Sequence, residues 1–145
     1  LRVKVKKGEK MTRYIIISII SGILFALMDG FINGNPFAAK LFEIYKPIAR
    51  SSLNIPAGMI IDLLYGFAMA GIFLLLYNSL PGATGLAKGA SYAVLIWFFR
   101  VAMQAMGSWM MFRISEGAVV YSMLAGFGEM LALGILYGLT LKPPM

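Results

Sequence analysis

The sequence predicts an all-α fold: an integral membrane four-helix bundle with a short amphipathic interfacial helix between spans one and two. Three observations carry that expectation. Of 145 residues, 60% are hydrophobic and only 13% charged, so the polar face that every helix of a soluble domain needs is missing. Four apolar runs each reach the roughly 20 residues that cross a bilayer's hydrocarbon core. Each run holds a single ionisable side chain in its interior: Asp29, Asp62, Arg100 and Glu129. At this length the chain makes one compact membrane domain.

The elements follow in order. Residues 1–13, "LRVKVKKGEKMTR", form a basic cytoplasmic segment whose Arg2, Lys4, Lys6, Lys7, Lys10 and Arg13 suit anionic lipid or a partner protein. Beside an anionic membrane face each such charge is worth about 1 kcal/mol. The alternation of Val3 and Val5 with basic residues would also let the segment add as a strand to a partner's sheet edge. Without interleaved aromatics it does not read as a nucleic-acid contact. The four-span domain then covers 14–142. Span one, 14–33, outruns a signal-peptide core and is expected to be retained.

Phe37, Leu41, Ile44, Tyr45 and Ile48 fall at helical spacing with Lys40, Glu43 and Lys46 between them, which predicts an interfacial helix over 37–46, bent by Pro47. It is expected to cap the bundle; a lid over a cavity and a docking surface are the alternatives. Span two, 57–79, starts behind Pro56 and stops at the "LPG" of 80–82. Span three is 86–109. Span four is 117–141, stopped by Pro143 and Pro144. Lys and Arg number eight on the side of the termini and four on the other, which predicts both termini in the cytoplasm and a cytoplasmic (inner) membrane.

The buried charges are the candidate functional residues. Arg100 and Glu129 fall near mid-membrane on spans three and four, which a short turn makes antiparallel neighbours. Asp29 and Asp62 lie at matched depth in the half nearer the 37–46 helix. Either set could hold the guanidinium, and the sequence does not choose. Three carboxylates against one arginine leave two negative charges over, so a carboxyl is neutral or a cation or partner charge compensates. Arginine does not neutralise. Glu129, the deepest, is the acid that desolvation would keep protonated. Gln104, one turn beyond Arg100, and Tyr65, three residues after Asp62, complete the expected intramembrane polar network.

Gly66, Gly71, Gly126, Gly134 and Gly138 are expected to let helices pack closely. Residues 63–77 and 123–137 share Leu, Gly, Phe, Leu and Tyr at matched positions, hinting at a two-helix unit used twice. Tyr14, Tyr77, Tyr92, Trp109 and Tyr137 fall near span ends, as interfacial anchors do. Eleven methionines read as gap fillers. With neither cysteine nor histidine, no cofactor and no metal ligand set is expected.

The stretch "LLYNSLPGATGLAKGASYAVLIWFF" (75–99), with "GEMLALGILYGL" (128–139), resembles a widespread group of small four-span integral membrane proteins of unassigned function. The resemblance runs over about 14–140 and implies an amphipathic segment after span one, a second span ending in "Y-x-x-LPG" and a last span ending near "YG". It carries no catalytic residue, and neither Arg100 nor the basic extension belongs to it. The resulting expectation is a non-enzymatic structural or accessory subunit of a larger membrane protein complex. It would touch membrane lipids and other subunits or copies of itself, and be held together by buried Arg/carboxylate contacts. A small oligomeric proton-coupled transporter or channel using the intramembrane carboxylates is the second expectation, although no broken span is evident. A membrane enzyme acting on lipid or quinone is the third, and would need two carboxylates on a common pocket.

Overall fold

A computed structural model describes the backbone of residues 2–143 and the side chains of residues 8–143. The side chains of Arg2, Lys4, Lys6 and Lys7, and the whole of Pro144, lie outside the described residues. The chain forms α1 (Arg2–Asn33), α2 (Pro36–Leu41), a 3-10 turn (Glu43–Ile48), α3 (Ile55–Leu76) and α4 (Gly85–Ile96). A π-helical turn (Trp97–Ala102) leads on into α5 (Met103–Met111), and α6 (Glu116–Thr140) follows. Four continuous helices are long and apolar enough to cross a membrane: Gly8–Asn33, Ile55–Leu76, Gly85–Met111 and Glu116–Thr140. The molecule is a four-span membrane bundle with two short helical pieces between spans one and two.

Local chemistry explains where the helices start. Asn35, Asn54, Thr84 and Ser115 each cap an N-terminus, their side-chain oxygens accepting from the backbone N–H of Ala38, Ala57, Ala87 and Ala118. Between α3 and α4 the chain turns at Gly82, whose φ of 125° suits glycine alone. Lys88 reaches back and donates to the carbonyls of Tyr77 (2.6 Å) and Leu80 (3.1 Å), so this lysine caps the end of α3.

α1 is one unbroken helix from Arg2. Its lysines and arginines are good helix formers, and the apolar span gives them a nucleated helix to extend. The basic segment is therefore helical, which corrects the strand alternative.

The bundle is two antiparallel pairs, α1 with α3 and the span-three helix with α6. Each pair meets where side chains vanish. A Cβ on Gly66 would strike the Ser18 carbonyl and Gly22, and one on Gly89 would strike the Gly134 carbonyl. Gly85 and Gly138 exclude each other's Cβ in the same way. In such contacts each glycine Cα–H points at the facing carbonyl. Of the expected packing glycines, Gly66, Gly134 and Gly138 serve this role. Gly126 instead receives the side chain of Val101, and Gly71 has only the Tyr14 hydroxyl near it. Gly22, Gly85 and Gly89 complete the set.

Where the pairs meet, Phe25, Phe73, Tyr92, Met130, Leu133 and Tyr137 are all buried. Tyr92 donates to the Met69 carbonyl at 2.7 Å. Tyr92 and Tyr137 are thus core residues, not interfacial anchors, because glycine at 85, 89, 134 and 138 brings the backbones close and turns both rings inward. Met103, Met106, Met110 and Met111 point outward and fill no internal gap.

Candidate functional site

The site is built around Arg100, which lies in the π-helical turn. Ala93 and Ala102 are both buried although nine residues separate them. At about 3.6 residues per turn that is two and a half turns, which would place them on opposite sides of a regular helix. The widened turn absorbs the difference and brings both, with Val101, against the rest of the bundle. Span three therefore stays continuous but is locally widened in its middle, a feature not anticipated from the sequence. Phe98 and Phe99 are exposed on its outer side, and Trp97 fixes the turn by donating from Nε1 to the Met123 carbonyl of α6 at 2.9 Å.

The Arg100 guanidinium meets three surroundings. Its Nη1 donates to Glu129 Oε2 at 3.2 Å, a charge-assisted contact whose glutamate side chain is 4% exposed and whose arginine is 27% exposed. Its Cζ stands 4.5 Å from the Phe25 ring centre and 5.3 Å from that of Tyr65, and these two rings stack on each other at 5.4 Å. Its third side lines a cavity of about 380 Å³. The partner question left open by the sequence is answered in favour of Glu129. Depth agrees, since Arg100 lies eleven residues from the Met111 end of its span and Glu129 thirteen from the Glu116 start, about 16 and 20 Å.

The cavity runs from the α2 face down to this pair. Asp29, Asn33, Gln104, Ser108, Ser122 and Glu129 give it polar walls; Ile32, Phe42, Val101 and Val119 give it apolar ones. Asp29 accepts from Asn33 at 3.1 Å. Glu129 Oε1 is buried without a hydrogen-bond partner among the described residues. Asp62 lies near enough to Asp29 and Arg100 to feel their charges but does not line the cavity. Of the expected network, then, Arg100, Glu129, Asp29 and Gln104 converge on one space, Tyr65 serves as part of the aromatic shelf, and Asp62 stays outside. Asp29 and Glu129 do share a pocket.

The segment after span one walls this space. Rather than one helix over 37–46, it is α2 followed by the 3-10 turn, broken at Phe42. It packs on α6 through Phe37 and Phe42 against Tyr121, whose hydroxyl donates to the Ile32 carbonyl at 2.6 Å and accepts from Asn35. Phe42 and Tyr45 also line the cavity, so the cap is at the same time a rim. On its outer surface Lys46 bonds Glu43 at 2.7 Å, and that hydrogen bond and charge hold the Glu43 carboxyl below the usual range.

On the N-terminal face a second cavity of about 470 Å³ is lined by Lys10, Arg13, Tyr14, Tyr77 and Lys142. Phe25, Phe73, Met130 and Leu133, all 1% exposed or less, stand between the two. Among the described residues no group of three or more His, Cys, Asp or Glu side chains is placed to hold a metal ion. No family model, curated protein or solved structure matches this chain. What the structure supports is an all-α chain with four long apolar helices.

Proposed function

We propose that the chain is a non-enzymatic accessory subunit of a membrane protein complex. It sits in the cytoplasmic membrane with both termini inside, and docks on other subunits or copies of itself through the basic end of α1. The continuity of α1 supports this reading. Its 32 residues measure about 48 Å against the roughly 30 Å of a hydrocarbon core, so the basic end leaves the bilayer as a stiff helix already shaped for a partner. Glu9, Lys10 and Arg13 on it are exposed. The engagement of Arg100 with Glu129 points the same way, because a charge pair between neighbouring helices holds a bundle together without any turnover.

Mild-detergent purification from native membranes, with a tag placed beyond α6, tests the proposal. A stoichiometric second chain or a defined homo-oligomer is expected, and Lys10→Glu with Arg13→Glu should dissociate it. A monomer carrying lipid alone, or an assembly indifferent to both charge reversals, would overturn the reading. The cavity favours a second reading, a small oligomeric transporter, since it leads from one face to a charged pair at mid-membrane. An enzyme acting on lipid or quinone is weaker: Asp29 and Glu129 share the cavity, but Glu129 is already ion-paired.

A further inference from the structure

We propose that the cavity above Arg100 and Glu129 is a binding site for a small organic ammonium ion, one with N–H donors on an apolar body. Its volume, about 380 Å³, falls within the range of small-molecule sites. Its lining holds one guanidinium and two carboxylates, Asp29 and Glu129, so the ionised site carries one negative charge in excess. Asp62 adds to that field from outside. Glu129 supplies the second, independent observation. Its side chain is 4% exposed, Arg100 takes Oε2, and Oε1 has no donor among the described residues. A buried carboxylate oxygen without a donor costs its full desolvation, and an ammonium removes that cost and the excess charge together. Asp29 has a single donor among the described residues, Asn33, and so has acceptor capacity to share.

The rest of the lining selects the kind of cation. Phe42, Val101 and Val119 suit a hydrocarbon or aromatic body, beside the polar Asn33, Gln104, Ser108 and Ser122. A quaternary ammonium would bring charge but no N–H for Oε1. A zwitterion would leave the excess charge in place, and an anion would double it. The site lies wholly within this chain, so the inference does not depend on the docking of α1, and the Lys10 and Arg13 reversals should leave binding untouched.

Three probes of similar size and different charge test it: phenethylammonium, phenylalanine and 3-phenylpropionate, titrated calorimetrically into the intact protein in detergent, with protein-free micelles as the baseline. Saturable binding of phenethylammonium is expected, at least about tenfold tighter than phenylalanine, with none for 3-phenylpropionate. Asp29→Asn should weaken it about tenfold, and Glu129→Gln at least as much. Asp29 stands outside the Arg100 pair, so its substitution leaves the fold in place, which a melting curve checks. N-trimethylation of the probe should weaken binding. Phenylalanine binding as tightly as phenethylammonium would mean a neutral glutamic acid and would overturn the proposal. No saturable binding of phenethylammonium, or an Asp29→Asn protein that binds normally, would overturn it too.

Discussion

Arg100 has its charge met on one side by a carboxylate and on another by two stacked rings, and this decides what its loss does. Removing it strands Glu129 in a low-dielectric interior, and breaking a buried pair from one side costs about 3–5 kcal/mol. Arg100→Leu should therefore lower the melting temperature in detergent sharply. Arg100→Leu combined with Glu129→Leu should recover most of that loss, because two apolar side chains need no partner. If the double variant melts as low as the single one, the aromatic contact and not the ion pair is what holds Arg100. Part of this was legible in the sequence. Depth counting from helix ends brings Arg100 and Glu129 level, since both quantities depend only on rise per residue. The Phe25–Tyr65 shelf was not, because which face of α1 and α3 meets Arg100 depends on the packing of two other helices.

At the scale of elements, helix identity was legible and helix contact was not. Apolar runs and Asn, Ser, Thr and Pro at their ends place the starts of the later helices, α3 beginning at Ile55 where 57 was expected, whereas α1 starts at Arg2, twelve residues ahead of the expected 14. The contacts depend on which glycines face which. Gly85 and Gly89, at the entry of span three, are a small-x-x-x-small pair as clear as Gly134 and Gly138, and the two pairs face each other. The π turn left no mark in the sequence; it shows only once Ala93 and Ala102 are seen to be buried together at a spacing wrong for a regular helix. Gly89→Ala should cost at least about 2 kcal/mol, its methyl driven into the Gly134 carbonyl. Gly128→Ala, with nothing within 4 Å, should gain about 0.5–1 kcal/mol from its helix alone. Detergent melting curves for the two variants, run side by side, check both signs.

For the whole molecule, orientation is the property that charge counting addresses. The absence of cysteine makes it simple to measure. Lys40→Cys in α2 should react with a membrane-impermeant maleimide added to intact cells, whereas Lys10→Cys should react only after permeabilisation. The reverse pattern would invert the topology and put the cavity mouth on the cytoplasmic side. The division into two helix pairs has a mechanical outcome as well. Arg100 and Glu129 belong to the same half, so their bond does not fasten the halves; Phe25 and Tyr65, on the opposite half, only lie beneath it. The joint between the halves is thus mostly apolar, pinned at two points where the Tyr92 and Tyr121 hydroxyls donate to the Met69 and Ile32 carbonyls, while each half is riveted by backbone touching backbone. Rocking about those two bonds would lift the rings from the arginine without parting it from its acid.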